Sequence, residues 1–329
     1  MNSFSANAGD KKISVVIPNY QGEKFLGGCL DSLLAQTRPP DEIIVVDDAS
    51  LDGSVALVRQ QYPQVRLLVR PRNGGFAACA NKGLDAATGE IVCLFNNDAE
   101  AAPNWLATLE ETFEMRPEVS SLASRIMLFD RRNVFHAVGD FYRANGVPGN
   151  RGVWQTDDGQ FDTVQEIFGA CAAASAYRKT ALDAVRSDNS DGKVLDERLF
   201  MYCEDVDLNL RLRLRGLRCL YVPKAWVYHR LSATGAGTLA SFYNGRNFIT
   251  VAIKNLPTEI LWANLPAIIF TQLGYALFSL RHLRLKTERA RFKGQLAGLR
   301  LLPQTLLQRT QVQAHCTISK EYFASLLNW

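Results

Sequence analysis

The sequence predicts an α/β protein with a mostly parallel central sheet and flanking helices. Three observations carry this. Short β-branched runs alternate with segments of helical spacing through residues 13–128. The strands read as near-continuous apolar runs, as strands do when both faces are covered. The connections between elements are short.

In order, "KISVVIPNY" is a β-branched run that ends at Pro18 and Asn19. "GEKFLGGCLDSLLAQ" places Phe25, Leu26, Cys29, Leu30, Leu33 and Leu34 at helical spacing. "EIIVVDDAS" is a second strand, "SVALVRQQY" a helix and "VRLLVR" a third strand. "FAACANKGLDAA" is a helix, "EIVCLF" a fourth strand, "NWLATLEETFEM" a helix and "SSLASRIML" a strand. Between Phe129 and Val164 no period holds, and loops with short strands over one end of the sheet are expected. "FGACAAASAYRKTALDAV" has a helical pattern.

"EDVDLNLRLRLRG" is ambiguous. Leu208, Leu210, Leu212 and Leu214 alternate as in a strand, while Val206, Leu210, Leu214 and Leu217 fit a helix. Acids at the start, arginines near the end and Gly216 just beyond favour the helix, through its dipole and C-cap. "RCLYVPKAWVYH" reads as extended, "RLSATGAGT" as a mobile loop, and everything from Ser241 onward as helical.

The 329 residues are 47% apolar and 21% charged, an ordinary globular balance with room for a sizeable core. A net charge of +4 gives no reason to expect nucleic acid as a partner. Seven scattered cysteines without a C-x-x-C pair read as buried, reduced thiols of a cytosolic protein. "MNSFSANAGDKK" lacks an apolar signal core, so no secretion signal is expected. Ile260 to Leu280 is the longest apolar stretch, but Asn264, Pro266 and Gln272 interrupt it and argue against a spanning helix. Between Arg281 and Arg309, eight basic residues face Glu288 alone. Such a tail lies on an anionic membrane surface or forms a solvated face packed on the main domain, with equal weight to each.

Ligands of open α/β sheets sit beyond the carboxyl ends of the strands. Those ends carry Pro18, Asn19 and Tyr20; Asp47, Asp48 and Ser50; Arg72, Asn73, Gly74 and Gly75; and Asn96, Asn97 and Asp98. They suit a base, a ribose, a diphosphate and a metal. Each has a plainer reading: acids that cap the next helix, a Gly-Gly turn, a structural His229, dipole-favourable Glu204 and Asp205. Their ordered co-occurrence is what points to a site. The sequence contains no G-x-G-x-x-G after the first strand, no P-loop and no G-x-S-x-G elbow. "DDASLDGS" lacks EF-hand spacing.

The pieces "VVIPNYQG", "IIVVDDASLDGS", "RNGGFAACANKGLDAATGEIVCLFNNDA", "LDERLFMYCEDVDLNLRLRLRG", "YHRLSATG" and "YNGRNFI" occur in this order over about three quarters of the chain. In them the chain resembles the inverting family 2 glycosyltransferases of GT-A fold, and most the rhamnosyltransferase branch acting on bacterial surface polysaccharides.

The resemblance implies a flexible N-terminus at 1–12 and a GT-A catalytic domain at 13–240. Within it, 13–128 would bind the nucleotide sugar and 129–240 would hold the acceptor and catalytic groups. A helical C-terminal region would follow at 241–329.

It implies that Pro18, Asn19 and Tyr20 line the nucleotide pocket and that Asp48, with Ser50 nearby, accepts from the base. Arg72, Asn73, Gly75, Asn81 and Asn97 would lie around the nucleotide. Asp98 and His229 would hold Mg²⁺ or Mn²⁺ on the donor diphosphate. Asp205 would be the general base, with Glu204 beside it. Gly169, Asp196 and Arg246 would face the acceptor. Arg246, in "GRNF", does not match the Q-x-x-R-W of processive synthases, which favours a non-processive hexosyltransferase.

The implied donor is dTDP-rhamnose, with UDP-galactofuranose, UDP-GlcNAc or UDP-glucose as alternatives. The acceptor would be a glycan or lipid-linked hydroxyl. The enzyme would be cytoplasmic or peripheral on the inner face of the cell membrane. A non-catalytic sugar-nucleotide scaffold is the reading from another class.

Overall fold

A computed structural model describes residues 11–189, 191–230 and 237–327. The N-terminal residues 1–10 and most of the "RLSATGAGT" loop lie outside the described residues.

The parallel half of the sheet forms from the runs read above. β1 (Ile13–Asn19) is flanked by β2 (Glu42–Asp47) and β4 (Ile91–Phe95), with β3 (Arg66–Val69) outermost. All three pairings are parallel. β1, β2 and β4 are buried almost throughout, which is why their sequences lack alternation. Helices α1 (Glu23–Leu34), α2 (Ser54–Gln61) and α3 (Gly75–Ala86) connect them. The strand order 3-2-1-4 changes direction between β1 and β4, so a crevice opens beyond Asn19 and Phe95.

The other half is mixed. After β5 (Ala99–Ala101) and α4 (Trp105–Met115), β6 (Val119–Leu128) runs through the sheet. Three short strands follow: β7 (Phe135–Ala137), β8 (Asp140–Tyr142) and β9 (Pro148–Asn150). β8 and β9 form a separate antiparallel hairpin. β10 (Gln165–Ile167) and β12 (Arg218–His229) complete the far edge.

The alanine-rich segment expected as a helix is β11 (Ala174–Arg178), antiparallel to both β4 and β6. Only Lys179–Ala184 forms a helix, α5. Ala174 and Ala176 pack into one core layer and Tyr177 into the layer on the other face. Placement between two strands overrides the helix preference of alanine.

α6 (Glu204–Leu214) is the helix its charges suggested, and burial explains the ambiguous pattern. Leu208 and Leu212 enter one core while Val206, Leu210 and Leu214 enter another. Each set is spaced by four, and together they look like strand alternation. The arginines do more than answer the helix dipole. Arg211 and Arg213 are buried, donating to the carbonyl oxygens of Val185 and Phe168 and to carboxylates. Gly216 ends the helix at φ 72°.

Five helices follow: α7 (Thr238–Asn255), α8 (Thr258–Arg281), α9 (Lys286–Arg300), α10 (Leu302–Ala314) and α11 (Lys320–Ser325). Pro266 lies inside α8 without ending it. This one continuous helix is long and apolar enough to cross a membrane by length and composition.

A buried charge network welds these helices to α6. The Lys254 ammonium lies 2.8 Å from Asp196 and 2.9 Å from Asp207. Asp207 also accepts from Arg211 and Asn255, and Asp196 from Gln308 of α10. Burial alone would raise both carboxylates, but Lys254 with its neighbouring arginines holds both below the usual range.

Lys254→Met should therefore cost about 3–5 kcal/mol by leaving two buried carboxylates unpaired. Urea unfolding measures it, and Lys254→Met with Asp207→Asn should cost less than the sum of the two singles. Depressed folded pKa values add stability above the unfolded carboxylate pKa, about 3.9. That contribution should disappear as pH falls below it in the wild type and be largely missing in Lys254→Met.

Candidate active site

Two adjoining cavities open beyond the β1/β4 crevice, sharing Phe76, Asn96 and Met201. The first, about 350 Å³, is lined by Pro18, Asn19, Tyr20, Asp48, Asn73, Gly75 and Asn97, among others. Its floor is an amide chain. Asn97 Nδ2 donates to Asn19 Oδ1 at 2.7 Å, and Asn19 Nδ2 donates to Asp47 at 2.8 Å. This chain fixes the ends of three strands relative to one another. Phe200 and Tyr243, stacked 5.1 Å apart, also line this cavity and offer a flat apolar surface suited to a nucleobase.

Asp48 lines this cavity, and its carboxylate already accepts from the backbone N–H groups of Gly74 and Gly75 at 2.9–3.1 Å. Arg70 pairs with it as well. So Asp48 anchors the start of α3, not of the next helix α2, and also lines the cleft. Gly75 has φ 82°, and a Cβ there would lie 2.4 Å from the Phe200 carbonyl oxygen. Only glycine lets α3 approach that loop.

The second cavity, about 410 Å³, is lined by Asn96, Asp98, His136, Asp140, Glu204, Asp205 and His229, among others. Asp98 Oδ1 lies 3.0 Å from His229 Nε2. The pair is not aligned as a hydrogen bond, and Asp98 Oδ1 is buried without a hydrogen-bond partner among the described residues. Asn96 Nδ2 lies 3.1 Å from the same Nε2. His229 Nδ1 meets His136 Nδ1 at 3.1 Å, with the rings stacked. Burial, then His229, lowers His136 to about 3, so it stays neutral.

On the same cavity, Asp205 accepts from Ala172 N–H at 3.1 Å and Val206 N–H at 2.8 Å. Burial raises its pKa and these donors oppose the rise. Glu204 is raised well above the ordinary value, first by burial and then by Asp205, and its Oε2 is buried without a partner. Asp140, also raised by burial and then by Asp205, accepts from Asn150 and Asn209. The charge of Asp205 thus opposes ionisation of its two neighbours.

Between the cavities runs the loop 200–203, where Phe200, Tyr202 and Cys203 all have positive φ. Non-glycine residues hold such conformations only when the surroundings over-determine them. Asn247 of α7 does this, with Nδ2 within hydrogen-bonding distance of the carbonyl oxygens of Leu199, Met201 and Tyr202 at 2.7–3.1 Å.

Six residues expected at the site lie elsewhere. Asn81 exchanges hydrogen bonds with Leu195 and donates to Glu197, which ties α3 to that segment away from the cleft. Ser50 accepts from Gln21 N–H outside the lining. Arg72 is exposed outside the cleft lining, and Arg70 is the arginine that reaches Asp48. Gly169 lies outside the cavity lining; a Cβ there would meet Asn209, and its carbonyl oxygen accepts from Asp140 N–H. Asp196 belongs to the Lys254 network. Arg246 donates to the carbonyls of Arg198 and Leu199 and so braces the loop. Sequence reasoning missed Arg70, His136, Asp140 and Asn247. "NVFHAVGD" has no periodic context to mark its His and Asp, and Asn247 sits in "GRNF", where Arg246 drew the attention.

The sheet order and its paired cavities are those of a GT-A fold. The sequence model described as Glycosyl transferase family 2 matches residues 14–186, and the chain belongs to that family.

Among curated relatives, the O-antigen biosynthesis protein RfbC of Myxococcus xanthus is 28% identical over 69% of this chain and 18% of its own length. The uncharacterized glycosyltransferase YibD of Escherichia coli is 38% identical over 30% of this chain and 29% of its own. The chain thus spans less than a third of either protein. The N-acetylglucosaminyl-diphospho-decaprenol L-rhamnosyltransferase of Mycobacterium tuberculosis is 29% identical over 68% of this chain and 78% of its own.

Among solved structures, S. aureus TarS 1–349 covers 95% of this chain and 92% of its own, with a TM-score of 0.55 at 18% identity. The mannosyltransferase PcManGT from Pyrobaculum calidifontis, in complex with GDP-Man and Mn²⁺, covers 97% of this chain and 85% of its own, with a TM-score of 0.54 at 16% identity. At these identities the likeness is one of fold.

Asn247→Ala should leave three loop carbonyls without that donor and cost about 1–3 kcal/mol. Amide exchange of residues 199–205 should accelerate while that of β1, β2 and β4 stays unchanged.

Proposed function

We propose that this chain is an inverting, non-processive glycosyltransferase that moves a sugar from a nucleotide diphosphate to an acceptor hydroxyl. The leading donor is dTDP-rhamnose, by likeness to the mycobacterial rhamnosyltransferase. The acceptor is a glycan or lipid-linked glycan of surface polysaccharide assembly, in keeping with the O-antigen protein. The basic helices between Arg281 and Arg309 are a contact for an anionic membrane surface.

One observation carries this reading. Among the described residues no lysine or arginine lines either cavity, yet a buried carboxylate and an imidazole nitrogen face each other at 3.0 Å. Cis ligands of an octahedral cation with bonds of about 2.0–2.1 Å are separated by roughly 3 Å. Asp98 and His229 therefore fit Mg²⁺ or Mn²⁺ and would hold it there. Such an ion supplies Lewis-acid neutralisation of the leaving diphosphate.

The protein's own groups do the rest. With the His229 proton on Nδ1, that N–H donates to neutral His136. The Nε2 lone pair then faces Asp98 and Asn96, and a bound cation would take the place of the Asn96 contact. Asp205, ionised and held by two backbone N–H groups, takes the proton of the acceptor hydroxyl. The acceptor oxygen bonds to the anomeric carbon as the carbon–oxygen bond to the diphosphate breaks. A single in-line displacement inverts that centre and needs no protein nucleophile.

Asp205→Asn should lower transfer about 10²–10⁴-fold while donor binding is kept. Glu204→Gln should leave the acid limb of the rate–pH profile in place, because that limb belongs to Asp205, the proposed base. Because the pKa of Asp205 is raised, that limb should lie above the ordinary carboxylate value near 3.9. Transfer that survives Asp205→Asn removes it as base.

Asp98→Ala should abolish Mn²⁺-dependent donor binding in calorimetry, and His136→Ala should weaken Mn²⁺ binding about 10–100-fold. A panel of nucleotide sugars tests the donor. Preference for a UDP-sugar would overturn dTDP-rhamnose and leave the chemistry standing.

A further inference from the structure

α8 has two unlike sides. Ile260, Leu261 and Ile268 are buried in a core shared with Val312 of α10 and Phe323 of α11. Gln272 accepts from Gln295 of α9 through both its backbone and side-chain oxygens. That side is anchored to the protein.

On the other side Trp262, Ile269, Phe270, Leu273, Leu277 and Leu280 are all exposed, with Phe270 reaching 78%. At 3.6 residues per turn these six share an arc of roughly 100°. Monomers rarely leave so continuous an apolar stripe bare.

The charges next to the stripe say what covers it. Over residues 281–289, Arg281, Arg284, Lys286 and Arg289 are exposed, with exposed Leu283 and Leu285 between them. The one acid there, Glu288, accepts from Ser279. An apolar stripe continued by alternating leucines and bases complements an anionic lipid surface, where chains bury apolar groups and headgroups meet cations.

The helix has the length and hydropathy of a membrane span. Its inner side, however, packs on protein and is hydrogen-bonded through Gln272. A spanning helix would have to give up that side, whereas one lying in the interface plane would not.

We propose that α8 is an interfacial docking helix that seats the protein on an anionic bilayer, with its Trp262–Leu280 stripe in the headgroup–acyl boundary. The β8–β9 hairpin gives the docking a consequence. At the hairpin's turn Asn145 donates to Thr271 of α8, and Gly146 lies against Ala252 and Ile268. Three residues on, Pro148, Gly149 and Asn150 line the 410 Å³ cavity that holds Asp205. One hairpin thus spans from the docking helix to the acid cavity, and docking brings the cavity rim to a lipid-carried hydroxyl. This second step rests on the transferase reading; the docking itself does not.

Full-length protein is floated with vesicles of phosphatidylcholine alone, or with one third phosphatidylglycerol, while tryptophan emission is followed. Binding to the anionic vesicles should be at least about tenfold tighter and should shift the emission to the blue. The shift should shrink in Trp262→Phe. Phe270→Asp with Leu273→Asp should lower binding to both vesicle types about tenfold or more. Arg284→Glu with Lys286→Glu should remove the preference for phosphatidylglycerol.

Absence of vesicle binding, or binding that ignores Phe270→Asp with Leu273→Asp, overturns the docking. So does a concentration-dependent dimer that the same pair converts to monomer, which would make the stripe a contact between copies. Slow donor hydrolysis by each variant is read in parallel, so a lost docking surface and a lost transferase site give different results. Transfer to a lipid-free acceptor should be unchanged by the α8 variants, and transfer to a lipid-linked acceptor in vesicles should fall.

Discussion

The ammonium of Lys254 lies within 2.9 Å of carboxylates from two different segments and has no exposure to water. A lone buried cation would be untenable, and so would either acid without it. The three groups are therefore bound to stay together, and the elements that carry them stay together too. Asp207 sits in the first turn of α6, two residues after Asp205. Lys254 sits near the end of α7, whose other residues hold the 200–203 loop and line both cavities. The placement of the acids thus depends on the helical region that follows the sheet. A boundary drawn at residue 240 cuts through α7, and a protein shortened there would lose part of the cavity walls and not merely an appendage.

Charge is divided unequally between network and site. The arginines and lysine of the "LRLRLRG" and "AIKN" stretches are spent on buried partners and backbone carbonyls. The cavities keep acids and amides. Burial raises Asp140, Glu204 and Asp205, the charge of Asp205 adds to the rise in the other two, and of the three Asp205 has backbone donors on both oxygens. Local hydrogen bonding thus favours the charged form at Asp205 more than at its neighbours, without any difference in residue type between Asp140 and Asp205.

Much of the parallel half was legible because each strand there is an unbroken apolar run ending in polar residues. Asn19, Asp48, Asn73, Gly75 and Asn97 follow those runs, and the structure brings them to one cleft. Asp98, Glu204, Asp205 and His229 reach the second cavity from three separate elements. β11 was illegible because alanine's local preference is weak beside the demand for a small residue between β4 and β6. Asn81, Asp196 and Arg246 misled for one common reason. They are polar residues close in sequence to the site, and their hydrogen bonds turn toward packing partners that only tertiary structure reveals. His136 and Asp140 were missed for the converse reason: they come from a stretch without period that the fold lays over the sheet end.

The β8–β9 hairpin is the part of that stretch with the widest reach. Asp140 is its first residue, accepts from Asn150 across the hairpin and is raised by burial beside Asp205. Its turn meets α8 through Asn145 and Gly146. A hairpin of so few residues is not stable alone and takes its position from what it packs on. Any displacement of α8 is therefore felt at the hairpin turn, and through Asp140 at the carboxylate group of the cavity. The apolar stripe and the acid cluster are far apart in sequence, yet one short hairpin makes mechanical neighbours of them.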